Sequence, residues 1–383
     1  MKEILFFSSS RSDFGTILPI IKSLKKKKIR TKLIITGTHL GKKFGNTQKE
    51  FIKYKIKVDH KISILSKFHN EKDILYSSTN LIKKSYNFFT KKKYRTIIIV
   101  GDRYEAFVMC YVAYIFNMKI IHIAGGETTE GAMDEAFRHS ITKMSNLHFV
   151  TNENYKRRVM QLGENPKNII VSGDTSQEFV LKMKLYKKKE IEKILKINFK
   201  KKNILISFHP MTFDHKQTMI HLTNLLATLN NMNNTLLIFT YPNQDIGYSK
   251  IINKIKNFIK KNKNAFFFKN LGNKSYISIL KNCDLLIGNS SSGITDTPLV
   301  KIPAINIGDR QKGRDKTNNV IDVSGNSVIE LNKAIQLCYN DKFLKKIKRG
   351  LSNLSKKNSS LIISREIIKR INNSSVQKKF FDI

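Results

Sequence analysis

Cysteine is scarce in this 383-residue chain, and its three thiols, Cys110, Cys283 and Cys338, are scattered through apolar or helical sequence. With no CxxC pair, neither a disulfide framework nor a zinc site is expected, and the thiols read as reduced core residues. Proline is also rare, at six residues, and no glycine-serine linker interrupts the chain, so ordered segments should join its domains. Long apolar runs are missing: stretches such as Thr96 to Val100 fall far short of a membrane span. The first apolar stretch ends at Phe7 and passes into a polar loop, which does not read as a signal peptide, so a cytoplasmic protein is expected. A Walker loop, GxxxxGK[ST], is absent as well.

Acidic residues are few, 29 against 70 basic ones, and the net charge of +41 invites a nucleic-acid reading. That reading is set aside. Of the basic residues 58 are lysine, spread in runs such as Lys25-Lys26-Lys27-Lys28 and Lys187-Lys188-Lys189 beside expected helix ends and loops, where solvated faces are usual. A nucleic-acid binder should instead show a contiguous basic stripe with stacking aromatics. Arginine is placed differently: Arg11, Arg103, Arg138, Arg310 and Arg314 all lie in glycine- and acid-bearing loops, where forked guanidinium donors suit phosphate. The overall positive field would draw in an anionic small molecule at a rate that falls with salt.

The length suits two domains of fewer than 200 residues each, with a cleft between them. Short β-rich runs alternate with amphipathic segments throughout. Strands are expected at Ile4–Ser8, Lys32–Thr36, Thr96–Val100, Lys119–Ile123, Leu147–Val150 and Asn168–Val171, separated by helices such as Ile17–Leu24, Ala106–Phe116 and Asp134–Met144. After a lysine-rich helical stretch from Phe179 to Lys196 the pattern restarts at Ile204–Phe208, Leu236–Thr240, Ala265–Phe268, Leu285–Gly288 and Ala304–Ile307. Closing helices are expected near Ser327–Tyr339 and Ile362–Asn372. This is an α/β chain with two parallel sheets.

Chemistry concentrates where such strands end, because ligands of parallel α/β sheets bind at the carboxyl edge. The run from His122 to His139 carries Glu127, Glu130, Asp134, Glu135 and Arg138 just past a strand, an arrangement fit for proton transfer. An N-cap with an intrahelical Asp134–Arg138 ion pair is the structural alternative, and it leaves Glu127 and Glu130 without a task. Asp102 and Arg103 follow the Thr96–Val100 strand and would lie beside that loop if the two strands are neighbours; the alternative for Asp102 is to cap the next helix. The polar turn Ser8 to Gly15, with Arg11, either holds a phosphate or simply caps a helix. His209 closes a strand ahead of Pro210 and faces the expected cleft, either as a reacting group or as a structural hydrogen bonder. Gly288-Asn289-Ser290-Ser291-Ser292-Gly293 opens a helix whose start can receive a diphosphate, with Asp296 one turn in to accept from ribose hydroxyls. Arg310 and Arg314 follow the next strand as a clamp on the same phosphates.

In order and spacing, GDRYEAF, HIAGGETTEGAMDEAFRHSITKMSNLHFV, SFHPMT, GNSSSG and NIGDRQKGR resemble the UDP-N-acetylglucosamine 2-epimerase family, and specifically its hydrolysing branch. The likeness spans nearly the whole chain. It implies two Rossmann-like domains in the GT-B arrangement, residues 1–178 and 179–361, with 362–383 packing back on the first, and a homo-oligomer, dimer or tetramer. By the same resemblance Asp102 and Asp134 are catalytic acids, with Glu127 a further candidate and His209 the second domain's histidine. Arg11 and Arg103 lie near the nucleotide, Ser290, Ser291 and Arg310 contact the diphosphate together with Ser292 and Gly293 of the same loop, and Tyr276 packs near uracil. Two departures stand out: Asp296 replaces a longer glutamate, and Ala124 stands where relatives carry glutamate or histidine. The implied reaction takes a UDP-sugar and water to UDP and a free 2-epimeric sugar, and it requires no metal or nicotinamide. The substrate is UDP-GlcNAc or UDP-2,4-diacetamido-2,4,6-trideoxyglucose; a non-hydrolysing epimerase and a GT-B glycosyltransferase are the remaining enzymatic alternatives.

Overall fold

A computed structural model of the chain describes residues 3–41, 47–64, 70–130, 132–211, 214–243, 245–350, 358–371 and 376–382. Seven strands form the first sheet: β1 (Glu3–Ser8), β2 (Arg30–Thr36), β3 (His60–Ile62), β4 (Thr96–Val100), β5 (Lys119–Ile123), β6 (Leu147–Val150) and β7 (Ile169–Val171), in the order 3-2-1-4-5-6-7. Six form the second: β8 (Lys202–Ser207), β9 (Thr235–Thr240), β10 (Ala265–Phe268), β11 (Leu285–Gly288), β12 (Ala304–Ile307) and β13 (Val320–Val323), in the order 10-9-8-11-12-13. Every pairing is parallel.

The apolar strand runs follow from this layering, since helices cover both faces of each sheet. Along β1, Ile4 and Phe6 enter one core layer while Leu5 and Phe7 enter the other. The same alternation divides Ile98 and Val100 from Ile97 and Ile99 on β4. In the second sheet Ile204 and Ile206 pack opposite Leu205.

Several expected elements differ. The Phe179–Lys196 stretch is two helices, Thr175–Leu181 and Lys188–Leu195, the second capped where the Lys187 amide donates to Glu190 at 2.6 Å. Strand β8 ends at Ser207, and Phe208 continues into the core outside it. The last helix is Ser359–Arg370, not 362–372, and packs on the helix Arg11–Lys26 of the first domain. Its Ile363 and Ile367 are at most 1% exposed in that domain's core, each contributing about 1.5–3 kcal/mol of burial. Ser360 donates from both its amide and its hydroxyl to Glu178, at 2.7 and 2.8 Å. Beyond it, Lys378 Nζ donates to Glu164 at 2.7 Å. All three cysteines are free and buried. Among the described residues no helix is long and apolar enough to cross a membrane, and no three His, Cys, Asp or Glu side chains gather as a metal site.

Candidate active site

The carboxyl edges of both sheets open on one cleft enclosing about 410 Å³, within the range of small-molecule sites. Strands β4 and β5 pair with Val100 opposite Ile123, so Asp102 and the loop after β5 leave the sheet side by side. His122 Nε2–H donates to the Gly101 carbonyl at 2.8 Å and Nδ1 meets Thr142 Oγ1 at 3.0 Å. Full burial pushes that imidazole down to about 3, so His122 is a neutral tie between the strand ends. His139 lies 3.0 Å from Glu135 on the same helix. Neither His122 nor His139 lines the cleft.

Asp102 accepts from Arg138, a guanidinium only 1% exposed that also donates to Glu135 at 2.9 Å, to Thr129 Oγ1 at 3.0 Å and to the Glu127 carbonyl at 3.0 Å. Burial alone would raise the Asp102 carboxyl. The Arg138 charge and hydrogen bond, helped by Arg314 and Arg103, outweigh it and hold Asp102 below the usual carboxylate range. Asp134 begins the helix Asp134–Met144 and lines the same cleft. Its surroundings act the other way: burial, then the charges of Asp102 and Asp245, push it up to about 7 against the pull of Arg103 and Arg310. The intrahelical Asp134–Arg138 pair does not form, because Arg138 is taken by Asp102 and Glu135. Nor does Asp102 cap the next helix, whose N-cap is Arg103.

The remaining first-domain positions resolve less uniformly. Arg103 Nε donates to the buried Glu105 at 3.1 Å, and its Nη1 lies 3.7 Å from Asp245 of the second domain. Glu127 pairs with Arg314 Nη2 across the cleft, and both side chains line it. In the Ser8–Gly15 turn Asp13 accepts from the amides of Ser9 and Ser10 at 2.8 and 3.0 Å, a helix-capping arrangement, while Ser10, Ser12 and Gly15 line the cleft. Arg11 is the first residue of that helix, and its side chain lies outside the described residues. Ala124 has φ +66, a left-handed backbone that costs a non-glycine residue about 1–2 kcal/mol, and it faces the cleft.

On the opposite wall His209 follows β8 and lines the cleft. The Asn289 side chain grips its backbone twice, accepting from the His209 amide at 2.7 Å and donating to its carbonyl at 2.8 Å. The Asn243 amide donates to Nδ1 at 2.9 Å, so a neutral ring carries its proton on Nε2, which lies 3.4 Å from Ser207 Oγ. Gly288 has φ +147, and a side chain there would stand 2.0 Å from the Ser207 carbonyl oxygen, so only glycine lets β11 turn so tightly beside β8. Ser290, Ser291 and Ser292 line the cleft beyond it, whereas Gly293 does not; it turns inward onto Leu286 and Ala304. Tyr276 Oη donates to Ser292 Oγ at 2.6 Å, which donates to Asp296 Oδ2 at 2.6 Å. Burial pushes Asp296 up to about 6. Arg310 donates to the Asn289 carbonyl at 3.1 Å and lies 3.9 Å from Asp245.

Two parallel-sheet domains, face to face across a cleft, with the last helix returned to the first domain, make this a protein of the GT-B class. The family model for UDP-N-acetylglucosamine 2-epimerase matches residues 22–367, and the chain belongs to that enzyme family. It is 38% identical over 324 residues, 84% of each chain, to GDP/UDP-N,N'-diacetylbacillosamine 2-epimerase (hydrolyzing) of Campylobacter jejuni. It is 35% identical over 395 residues to polysialic acid biosynthesis protein P7 of Escherichia coli, covering 100% of this chain and 98% of that one. The fold matches UDP-GlcNAc 2-epimerase of Neisseria meningitidis bound to UDP-GlcNAc with a TM-score of 0.81 at 17% identity, over 96% of this chain and 100% of the other.

Proposed function

We propose that this enzyme is a hydrolysing UDP-sugar 2-epimerase that converts UDP-GlcNAc and water to UDP and N-acetylmannosamine. The observation that carries the reading is the pair Asp102 and Asp134, two carboxylates on one cleft whose surroundings drive their protonation apart. A pair separated in this way supplies an ionised base and a protonated acid at the same pH. In the elimination, Asp102 takes the C2 proton, the C2–H electrons form the C1–C2 double bond, and the C1–O bond breaks with its pair leaving on UDP. The product is a 2-acetamidoglucal. In the second half Asp134 delivers its proton to the opposite face of C2 while water bonds to C1, and the proton lost by that water restores Asp134. Asp102 releases its proton to solvent before the next turn.

The second domain's part is to hold the departing nucleotide. Ser290, Ser291 and Arg310 border the cleft where the diphosphate would lie, and donors fixed before reaction stabilise charge growing on a leaving group without reorganising. His209, fixed by Asn289 and Asn243, borders the same cleft as a further polar group near the reacting sugar. Tyr276, joined through Ser292 to Asp296, forms the wall beyond the phosphates, where ribose and base would pack.

A second substrate, UDP-2,4-diacetamido-2,4,6-trideoxyglucose, is favoured by the name carried by the Campylobacter relative. Nothing in the Asp102–Asp134 chemistry distinguishes the two, because both sugars present an acetamido group and an acidic hydrogen at C2. The test is to give purified protein each UDP-sugar separately and identify the products by NMR. UDP with free N-acetylmannosamine from UDP-GlcNAc supports the first reading; turnover confined to the diacetamido sugar replaces it with the second. Recovery of an intact UDP-linked epimer would overturn hydrolysis for either.

A further inference from the structure

At the mouth of the cleft the first domain's loop 125–130 meets the second domain's turn 312–315. Thr128 Oγ1 donates to the Gly313 carbonyl, the Glu130 amide donates to the Lys312 carbonyl at 3.3 Å, and Lys312 Nζ lies 3.5 Å from the Glu130 carboxylate. Beside them Asn152 and Asn154 donate to Asp315 Oδ2 at 2.8 and 3.3 Å, and the Asp315 amide donates to Tyr155 Oη at 3.2 Å. The centre of this clasp is the Glu127–Arg314 ion pair, whose side chains are 12% and 14% exposed. A pair so sheltered is weakly screened, and removing either partner leaves the other's charge unpaired in a largely buried contact.

We infer that Glu127 and Arg314 form the latch of domain closure, positioning residues that secure Asp102 through Arg138 and neither carry the reacting proton nor clamp the diphosphate. The inference rests on the reading of Asp102 as the base. Two features carry it. Arg314 is held from two sides, Nη2 on the Glu127 carboxylate and Nη1 donating to Gln311 Oε1 at 3.2 Å, so its guanidinium is anchored across the domain boundary. Glu127 is tied on its other side, because its carbonyl accepts from Arg138, which holds Asp102. Closure therefore completes a line from the second domain to the reacting carboxylate: Arg314, Glu127, Arg138, Asp102. Arg314 is also among the cations that keep Asp102 ionised, an influence that weakens when the domains part. Gly313 marks the same contact independently. Its φ is +82, a backbone that strains any side chain, and a Cβ there would come 2.5 Å from Thr128 Oγ1, so a substitution loads this contact directly.

The test compares the full-length protein with Glu127→Gln, Arg314→Gln, their combination, the charge swap Glu127→Arg with Arg314→Glu, and Gly313→Ala, which keeps both charges. Small-angle scattering reads the opening of the two domains, calorimetry reads UDP affinity, and steady-state kinetics reads kcat and KM for the sugar. Each single variant, Gly313→Ala included, should enlarge the radius of gyration and lower kcat/KM by roughly tenfold or more. The double variant should be no worse than the worse single, and the charge swap should recover part of the loss. Three results would overturn the latch: Glu127→Gln abolishing turnover while Arg314→Gln leaves it intact, Arg314→Gln weakening UDP binding with no change in shape, or strictly additive losses. A parent protein that processes neither UDP-sugar, with variants that still enlarge the radius of gyration, would keep the latch and retire the catalytic reading, so the two failures are distinguishable.

Discussion

Replacing Asp134 with Asn should make the protein inactive and more stable at once. A carboxyl carried from 3.8 to about 7 resists ionising in the folded state, so above pH 7 it opposes folding. The full shift corresponds to about 4 kcal/mol, but Asp134 is half-buried and borders a wet cleft, and screening brings the working figure to about 2 kcal/mol. Asn carries no charge and removes this cost. At pH 8 the variant should melt roughly 4–8 °C higher than the parent, and the gain should shrink as the pH falls toward 4, where both forms are neutral. Turnover should drop by 10²- to 10⁴-fold or so. In the parent, kcat/KM should fall as pH rises through about 7, since the acid form is the one required. Differential scanning fluorimetry across pH and an initial-rate pH profile check both halves. A rate that climbs through pH 7 to a plateau would exchange the roles of the two aspartates, and a flat profile with unchanged melting would refute the reasoning.

The other variants separate by sign. Asp102→Asn should also lose turnover by orders of magnitude but should lower the melting temperature, because it strips a partner from the almost fully buried Arg138; a loss of about 2 kcal/mol is expected in denaturant titrations. His209→Ala should cost roughly 10- to 100-fold in kcat/KM while secondary structure by circular dichroism stays intact. Rates at low substrate should fall severalfold as salt is raised, since the +41 charge steers an anionic substrate; a salt-independent kcat/KM would contradict that steering.

How much could be read from the residues depended on whether the determining contact is local. Strands such as Thr96–Val100 and Leu285–Gly288 are continuous apolar runs bounded by glycine, and they appear where the pattern places them. Strands β3 and β13 escaped, being edge strands of three and four residues interrupted by Lys61 and Asp322, with no periodicity to recognise. The cleft-lining loops were legible because parallel sheets deliver their chemistry to one edge. Their pairings were not. Arg138 reads as the helical partner of Asp134, four residues away, yet it closes on Asp102, 36 positions earlier, because β4 and β5 are neighbours. Arg314 reads as a phosphate clamp and closes on Glu127, 187 positions away in the other domain. Asp245, after β9, belongs to no motif, and its one signal in the sequence is that of a lone acid past a strand's carboxyl end; it lies between Arg103 and Arg310 and raises Asp134.

Proton transfer at C2 is the step everything else serves, and isotope incorporation reads it directly. The protein is incubated with UDP-GlcNAc, and in parallel with the diacetamido sugar, in deuterated water, and the released sugar is examined by NMR and mass spectrometry. UDP and a free 2-epimer carrying one deuterium at C2 are expected. Release of UDP with a protonated C2 and unchanged configuration from either sugar would contradict proton transfer at C2.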